Sequence, residues 1–148
     1  HQSIIKYDTQ SYDYIFSVVR NPYSRLVSFY HYILQDPHQQ TVQKNSIIRE
    51  FKTFKGWLLN GCPGMWPEQS SYIDEKVDIY KIENIASNWN TILERCGVPW
   101  YHRLHMRLKH TNKSRHAEYK KYYDTLELKL TARSLLRDDI KYLGYEYL

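Results

Sequence analysis

The residues of this sequence best suited to bind an anion stand together at positions 20–28, RNPYSRLVS. Arg20 follows an apolar run that ends at Val19, and Asn21-Pro22 then introduces a helical pattern. An arginine at the end of a buried strand can hold a phosphate through two parallel hydrogen bonds. The start of the next helix adds backbone N–H groups and the positive end of the helix dipole. The stretch therefore predicts a phosphate site.

Two serines on the predicted helix extend this site. Ser24 and Ser28 are four residues apart, so they share one helical face. That face is polar, whereas the stripe that includes Leu26 and Tyr30 is apolar. The Ser28 hydroxyl, two turns into the helix, can donate to the same phosphate if the ligand lies along the helix. The alternative is an arginine held by a carboxylate, next to two serines that face solvent.

The elements that position these residues follow from the apolar pattern. Residues 13–19 and 77–82 are rich in β-branched and aromatic types, which predicts two buried, parallel strands. Apolar residues at helical spacing predict helices over 22–35, 47–58, 85–96 and 124–136. Residues 100–114 are basic and aperiodic, which predicts a loop. The order of elements predicts one α/β domain with a small parallel sheet.

The composition is that of a folded, basic protein. Hydrophobic residues make up 42% of the 148 residues, which is typical of globular proteins rather than disordered ones. The net charge of +5 favours an anionic partner, such as a nucleotide, a nucleic acid, a sulfated or phosphorylated substrate or an acidic lipid. No apolar run approaches membrane-spanning length, so no membrane span is expected.

Cysteine and histidine spacing gives no sign of a metal site. Cys62 and Cys96 have no metal-type spacing, although one disulfide between them stays open. The histidines at 102, 105, 110 and 116 match no common zinc site. We therefore expect no metal.

The stretch RNPYSRLVSFY resembles the 3′-phosphate-binding segment of the sulfotransferase family, in its carbohydrate (Golgi-type) and bacterial branch. Four later segments resemble the same family in the same order: EQSSYI at 68–73, IYKIENI at 79–85, HTNKSRHAEYKKYYD at 110–124 and DDIKYLGYEY at 138–147. Each later segment is weak alone, but the ordered set spans nearly the whole sequence.

The resemblance implies a P-loop NTPase-like parallel sheet flanked by helices. It also implies metal-independent transfer of a sulfuryl group from 3′-phosphoadenosine 5′-phosphosulfate to a hydroxyl acceptor, on a carbohydrate or another small molecule. Arg20 and Ser28 fall on the family's two phosphate ligands, with Ser24 alongside. Lys113 and Ser114, in the segment that resembles the nucleotide-covering loop, would add donors to the same phosphate. His1, by its offset before Arg20, matches the histidine that acts as base in the carbohydrate branch.

The sequence departs from the family pattern at its start. The family opens with a strand and a lysine-containing loop that holds the 5′-phosphosulfate, whereas none of the five glycines here lies in a strand-to-helix turn beside GK[ST]. We therefore expect residues 1–148 to form a single sulfotransferase-like domain without that first strand and P-loop. Such a domain alone would bind the 3′-phosphate end of the donor.

Two other classes of protein stay open on the sequence alone. A non-catalytic nucleotide- or nucleic-acid-binding α/β module would suit the basic charge. Nucleic-acid binding needs cations and aromatic side chains interleaved on one face, whereas here the aromatic residues follow the apolar helical positions. A P-loop kinase relative would need GxxxxGK[ST] and an acidic magnesium ligand, and the sequence shows neither.

Two further expectations concern the surroundings of the site. Gln69 either touches the acceptor or the adenine, or packs at a helix start. Glu83, at a strand end, is either a second carboxylate in the cleft, a helix cap or the partner of a cation.

The few cysteines and the lack of an anchor slightly favour the cytoplasm of a bacterial-type protein over the Golgi lumen.

Overall fold

The computed structural model describes residues 12–35, 50–65, 68–109 and 116–148. In chain order, its strands and helices are β1 (Phe16–Val19), α1 (Pro22–Gln35), α2 (Phe54–Leu59), β2 (Asp78–Lys81), α3 (Ile85–Arg95), α4 (Trp100–Arg103), α5 (Leu126–Leu135) and α6 (Arg137–Tyr142). Short 3₁₀ turns lie at Ser70–Tyr72, Ile82–Asn84 and Tyr119–Tyr122. No described helix is both long and apolar enough to cross a membrane.

The described residues belong to two compact units. The first unit contains 12–20 and 69–109, with β1, β2, α3 and α4. The second contains 21–35, 50–65, Glu68 and 116–148, with α1, α2, α5 and α6. The boundary falls between Arg20 and Asn21, so Arg20 belongs to the first unit and the serines of α1 to the second.

The first unit is built on a parallel strand pair. Phe16 lies opposite Asp78 and Val19 opposite Lys81 in the ladder between β1 and β2. The prediction of α/β structure with a small parallel sheet is therefore confirmed for the described residues, although each strand is shorter than the apolar pattern suggested. The P-loop NTPase-like arrangement of a larger sheet stays a prediction.

Helix α3 follows β2 and ends as its sequence predicts. Ile92 and Leu93 are buried, and Gly97 after the last turn has φ +73°, a left-handed conformation that favours glycine. The indole N–H of Trp89 donates to the carbonyl oxygen of Met106 over 2.9 Å, which ties residue 106 to this helix. The predicted loop over 100–114 is wrong at Trp100–Arg103, which forms α4. One turn of helix is too short to show apolar periodicity.

The core of the second unit is aromatic and centres on α1. The side chains buried in it come from α1, α2, α5, α6 and the segments beside them: Tyr23, Leu26, Val27, Phe29, Tyr30, Ile33, Phe54, Trp57, Leu58, Tyr123, Leu128, Ala132, Leu136 and Ile140. The rings of Tyr30 and Trp57 lie 5.4 Å apart between centroids, and those of Phe54 and Tyr123 lie 5.6 Å apart. The prediction that aromatic residues at apolar helical positions belong to the core is confirmed for these rings.

The polar ends of three core aromatic residues donate to backbone oxygens. The Tyr123 hydroxyl donates to the carbonyl oxygen of Tyr23 over 3.0 Å, and the Tyr30 hydroxyl to that of Phe51 over 3.1 Å. The Trp57 indole N–H donates to the Pro63 carbonyl oxygen over 3.0 Å. These bonds let large rings fill the interior without leaving their donors unpaired.

Two predicted helices differ from the structure. The pattern at 47–58 predicted one helix, of which residues 47–49 lie outside the described residues. Glu50 is helical but residues 51–53 are not, and α2 begins after Thr53, whose side chain accepts from the Gly56 N–H over 3.1 Å. The helix predicted over 124–136 begins not at Asp124 but after Thr125, whose side chain caps α5 and accepts from the Leu128 N–H. Threonine in extended conformation satisfies the first amide groups of a helix, and that local bond outweighs the apolar pattern.

Candidate functional site

Arg20 directly follows β1, at the carboxyl end of the parallel strand pair. The residue is half-buried, and burial lowers the pKa of its guanidinium, an effect that the carboxylate of Glu83 opposes. Glu83 lies in the 3₁₀ turn just after β2, so the ends of both strands bring charge to one edge. The electrostatic attraction between Arg20 and Glu83 supports the cation-partner role for Glu83. A partly desolvated guanidinium also attracts an anion more strongly than one in water does.

The side-chain amide of Gln69 pairs with the backbone of Arg20. The Arg20 N–H donates to Gln69 Oε1 over 2.9 Å, and Gln69 Nε2 donates to the Arg20 carbonyl oxygen over 2.8 Å. Neither role expected for Gln69 included these bonds. The only signal in the sequence was that Gln69 lies in one of the family-like segments.

The start of α1 is closed by its own cap. Asn21 Oδ1 accepts from the N–H groups of Tyr23 and Ser24 over 3.1 and 3.2 Å, and the Arg25 N–H donates to the Asn21 carbonyl oxygen over 2.8 Å. Pro22 has no N–H to offer. The predicted cap at Asn21 is confirmed. The expectation of free backbone N–H groups is wrong for Tyr23 and Ser24, because both already donate to Asn21 Oδ1.

The two candidate serines occupy successive turns of α1 in the second unit. Ser28 is half-buried, whereas Ser24 is only 8% exposed. The predicted polar face therefore holds at Ser28 and fails at Ser24, because α1 is buried on most sides, not along a single stripe. Of the two hydroxyls, Ser28 is the more accessible to a ligand.

Three predicted site residues lie outside the described residues. They are the candidate base His1 and the candidate phosphate donors Lys113 and Ser114. Their predicted roles stay predictions.

His31, one turn beyond Ser28, is packed among aromatic rings. Its ring stacks on that of His116 with 5.4 Å between centroids and meets the Tyr122 ring edge-on at 5.2 Å. Burial lowers the pKa of His31, and the nearby His116 lowers it further. These contacts favour a packed histidine over one that faces a cleft.

The second arginine of the family-like stretch binds within the second unit. The Arg25 guanidinium lies 3.8 Å from the carboxylate of Asp139, which is fully buried. Asp139 belongs to the family-like segment DDIKYLGYEY, so this pair joins two segments from opposite ends of the sequence. Sequence reasoning noted both segments but not this contact.

The cysteines and possible metal ligands add no further chemistry to this site. Both cysteines are free thiols, Cys62 buried and Cys96 exposed. Within the described ranges, no three or more His, Cys, Asp or Glu side chains gather in a metal-binding group.

The comparison with protein families defines the class as a transferase. The model of the family described as "Sulfotransferase family" matches residues 1–146. The chain therefore belongs to the sulfotransferase family, and the resemblance carried by RNPYSRLVSFY and the later segments is confirmed. No curated protein and no solved structure matches the chain significantly.

Proposed function

We propose that this protein transfers the sulfuryl group of 3′-phosphoadenosine 5′-phosphosulfate to a hydroxyl group on a carbohydrate. The observation that carries the proposal is Arg20, a half-buried cation at the carboxyl end of β1 in a chain of the sulfotransferase family. Ligands of open α/β sheets bind at the carboxyl ends of the strands. The acceptor class rests on the resemblance to the carbohydrate branch alone.

The donor's 3′-phosphate is the part of the substrate that the described residues can hold. In this proposal, the Arg20 guanidinium donates two parallel hydrogen bonds to the phosphate, and the family resemblance assigns a further donor to the Ser28 hydroxyl. Lys113 and Ser114 add donors from the nucleotide-covering segment, and Ser24, which is 8% exposed, lies one turn before Ser28 on the same helix. The closed cap at Asn21 makes these side-chain donors more important, because the backbone N–H groups of Tyr23 and Ser24 are already used.

The reaction itself exchanges one S–O bond for another. The acceptor oxygen forms a bond to sulfur while the bond from sulfur to the 5′-phosphate oxygen breaks. The acceptor proton passes to a base, for which His1 is the candidate, and adenosine 3′,5′-bisphosphate leaves. General bases of this kind typically contribute about 10²–10⁴-fold to a rate.

Calorimetric titration with two nucleotides tests the donor site. Adenosine 3′,5′-bisphosphate contains the 3′-phosphate, and 5′-AMP lacks it, so the ratio of their affinities measures recognition of that group. We expect a strong preference for the bisphosphate. Arg20→Ala should lower this preference by about 100-fold, and Ser28→Ala by about tenfold, because the proposal gives Arg20 a full charge and two hydrogen bonds to the phosphate but Ser28 a single bond.

A matched variant controls for loss of charge. Arg137 is exposed in α6, so Arg137→Ala removes one positive charge without touching the proposed site and should keep the preference. An Arg20→Ala protein whose preference for the bisphosphate is undiminished would refute the proposed donor site. Transfer of labelled sulfate to a panel of glycans and small alcohols then tests the acceptor.

A further inference from the structure

The side-chain amide of Gln69 pairs with the backbone of Arg20 in the way that a neighbouring strand would. Its amide oxygen accepts from the backbone of Arg20 and its amide nitrogen donates to the backbone of the same residue, as a peptide group does. The Ile15 carbonyl oxygen of β1 accepts from the Asp78 N–H of β2 over 3.1 Å. Successive residues of a strand turn their backbone groups to alternate sides, so those of Arg20 point away from β2. Gln69 therefore pairs the Arg20 N–H and carbonyl groups on the side of the strand that faces away from β2.

The two bonds also fix the direction of the Arg20 side chain. Arg20 lies just past the last residue of β1, where the ladder with β2 ends at Val19. Pairing both its N–H and its carbonyl oxygen holds its backbone in the extended form. Its side chain is then kept on the same face as that of Val18, which is 44% exposed, and opposite that of buried Val19.

We infer that Gln69 is a positioning residue for recognition of the 3′-phosphate, which it serves through the backbone of Arg20. This inference rests on the proposed function of Arg20. A guanidinium grips a phosphate through two bonds only when its plane is aimed correctly, so a small rotation of the backbone at Arg20 weakens both bonds together. Gln69 itself touches neither donor nor acceptor substrate in this scheme.

The test is a double-mutant cycle on nucleotide preference with the full chain. Gln69→Met keeps the side-chain length and removes both amide bonds. We expect it to lower the preference for adenosine 3′,5′-bisphosphate over 5′-AMP by about tenfold. We also expect Arg20→Ala to lower the preference by about 100-fold and the double variant to match Arg20→Ala. Such non-additivity shows that Gln69 acts through Arg20, which a general loss of stability would not produce.

Two further variants keep the test decisive. Asn90 is exposed on α3, so Asn90→Met replaces an amide by methionine in the same unit and should leave the preference unchanged. If Gln69→Met does not fold, Gln69→Asn replaces it, because that side chain keeps the amide but is one methylene too short to pair with Arg20. A thermal unfolding curve for each variant establishes which protein is folded before its affinities are compared.

The outcomes distinguish this inference about Gln69 from the proposed function of Arg20 on which it rests. If Arg20→Ala lowers the preference as expected while the folded Gln69 variant retains it in full, the role of Gln69 is refuted and the donor site stands. If Arg20→Ala itself leaves the preference intact, the proposed donor site is refuted, and the inference falls with it.

Discussion

The Arg25 guanidinium lies 3.8 Å from the carboxylate of Asp139, and their side chains are 21% and 0% exposed. The pair joins α1 to α6 inside the second unit, across 114 positions of sequence. Burial makes it costly to remove either charge alone, because the remaining charge has little water to stabilise it.

Asp139→Asn should therefore destabilise the second unit. The substitution keeps the shape of the side chain but removes the negative charge beside a mostly buried guanidinium, which typically costs about 3 kcal/mol of unfolding free energy. Asp138→Asn is the matched control, because Asp138 is exposed in the same helix turn and should change stability by less than about 0.5 kcal/mol. Urea unfolding measures both, and equal stabilities would mean that the ion pair does not hold α1 to α6.

Tyr123→Phe should weaken the same unit by a smaller amount. The change removes the buried hydrogen bond from the Tyr123 hydroxyl to the Tyr23 carbonyl oxygen and keeps the ring packed against Phe54. A loss of about 1 kcal/mol is expected from urea unfolding at neutral pH. Tyr142→Phe, at a 52% exposed position, should have no measurable effect. A Tyr123→Phe protein as stable as the unmodified chain would show that this bond contributes nothing.

The strand β1, the arginine after it and the start of α1 were predictable because their sequence signals are local. β1, the cap at Asn21 and the left-handed Gly97 each depend on residues next to one another in the sequence. The family-like stretch likewise lies within 11 consecutive residues. The expectation of free backbone N–H groups at this helix start was wrong for Tyr23 and Ser24. An asparagine cap accepts from just these N–H groups, so its presence should have counted against them.

The contacts that support the site were not predictable in this way. Gln69 reaches Arg20 across 49 positions of sequence, and Asp139 reaches Arg25 across 114. A single sequence contains no signal for which distant side chains will meet. The burial of Ser24 was missed for a similar reason, since it depends on what other helices pack around α1 and not on the pattern of α1 itself.

The two cysteines should differ sharply in reactivity. Burial raises the pKa of the Cys62 thiol to about 12, and the residue is 3% exposed, whereas Cys96 is exposed. Since the thiolate is the reactive form, iodoacetamide at about pH 8 should label Cys96 in the folded protein and Cys62 only after unfolding. Peptide mapping by mass spectrometry identifies the labelled residue, and Cys96→Ser should abolish labelling of the folded chain. Rapid labelling of Cys62 in that variant would contradict the burial described here.

His31 should make the folded protein less stable at mildly acidic pH than at neutral pH. Its pKa is lowered by burial and then by His116, so the folded protein disfavours the charged imidazole. The unfolded chain binds that proton more readily, so this contribution is complete above the ordinary pKa of about 6.5 and falls as the pH drops through the lowered value. Among the described residues, the rings that pack against it are those of His116, Tyr30 and Tyr122.

Unfolding free energies at about pH 7.5 and pH 5.0 check this expectation with His31→Phe, which keeps a ring to stack on His116 but cannot take up a proton. The unmodified chain should lose more stability between the two pH values than the His31→Phe variant. His105→Phe, at an exposed position of the first unit, should retain the full pH dependence. If His31→Phe also retains it, the acid sensitivity comes from another group and not from the half-buried ring of His31.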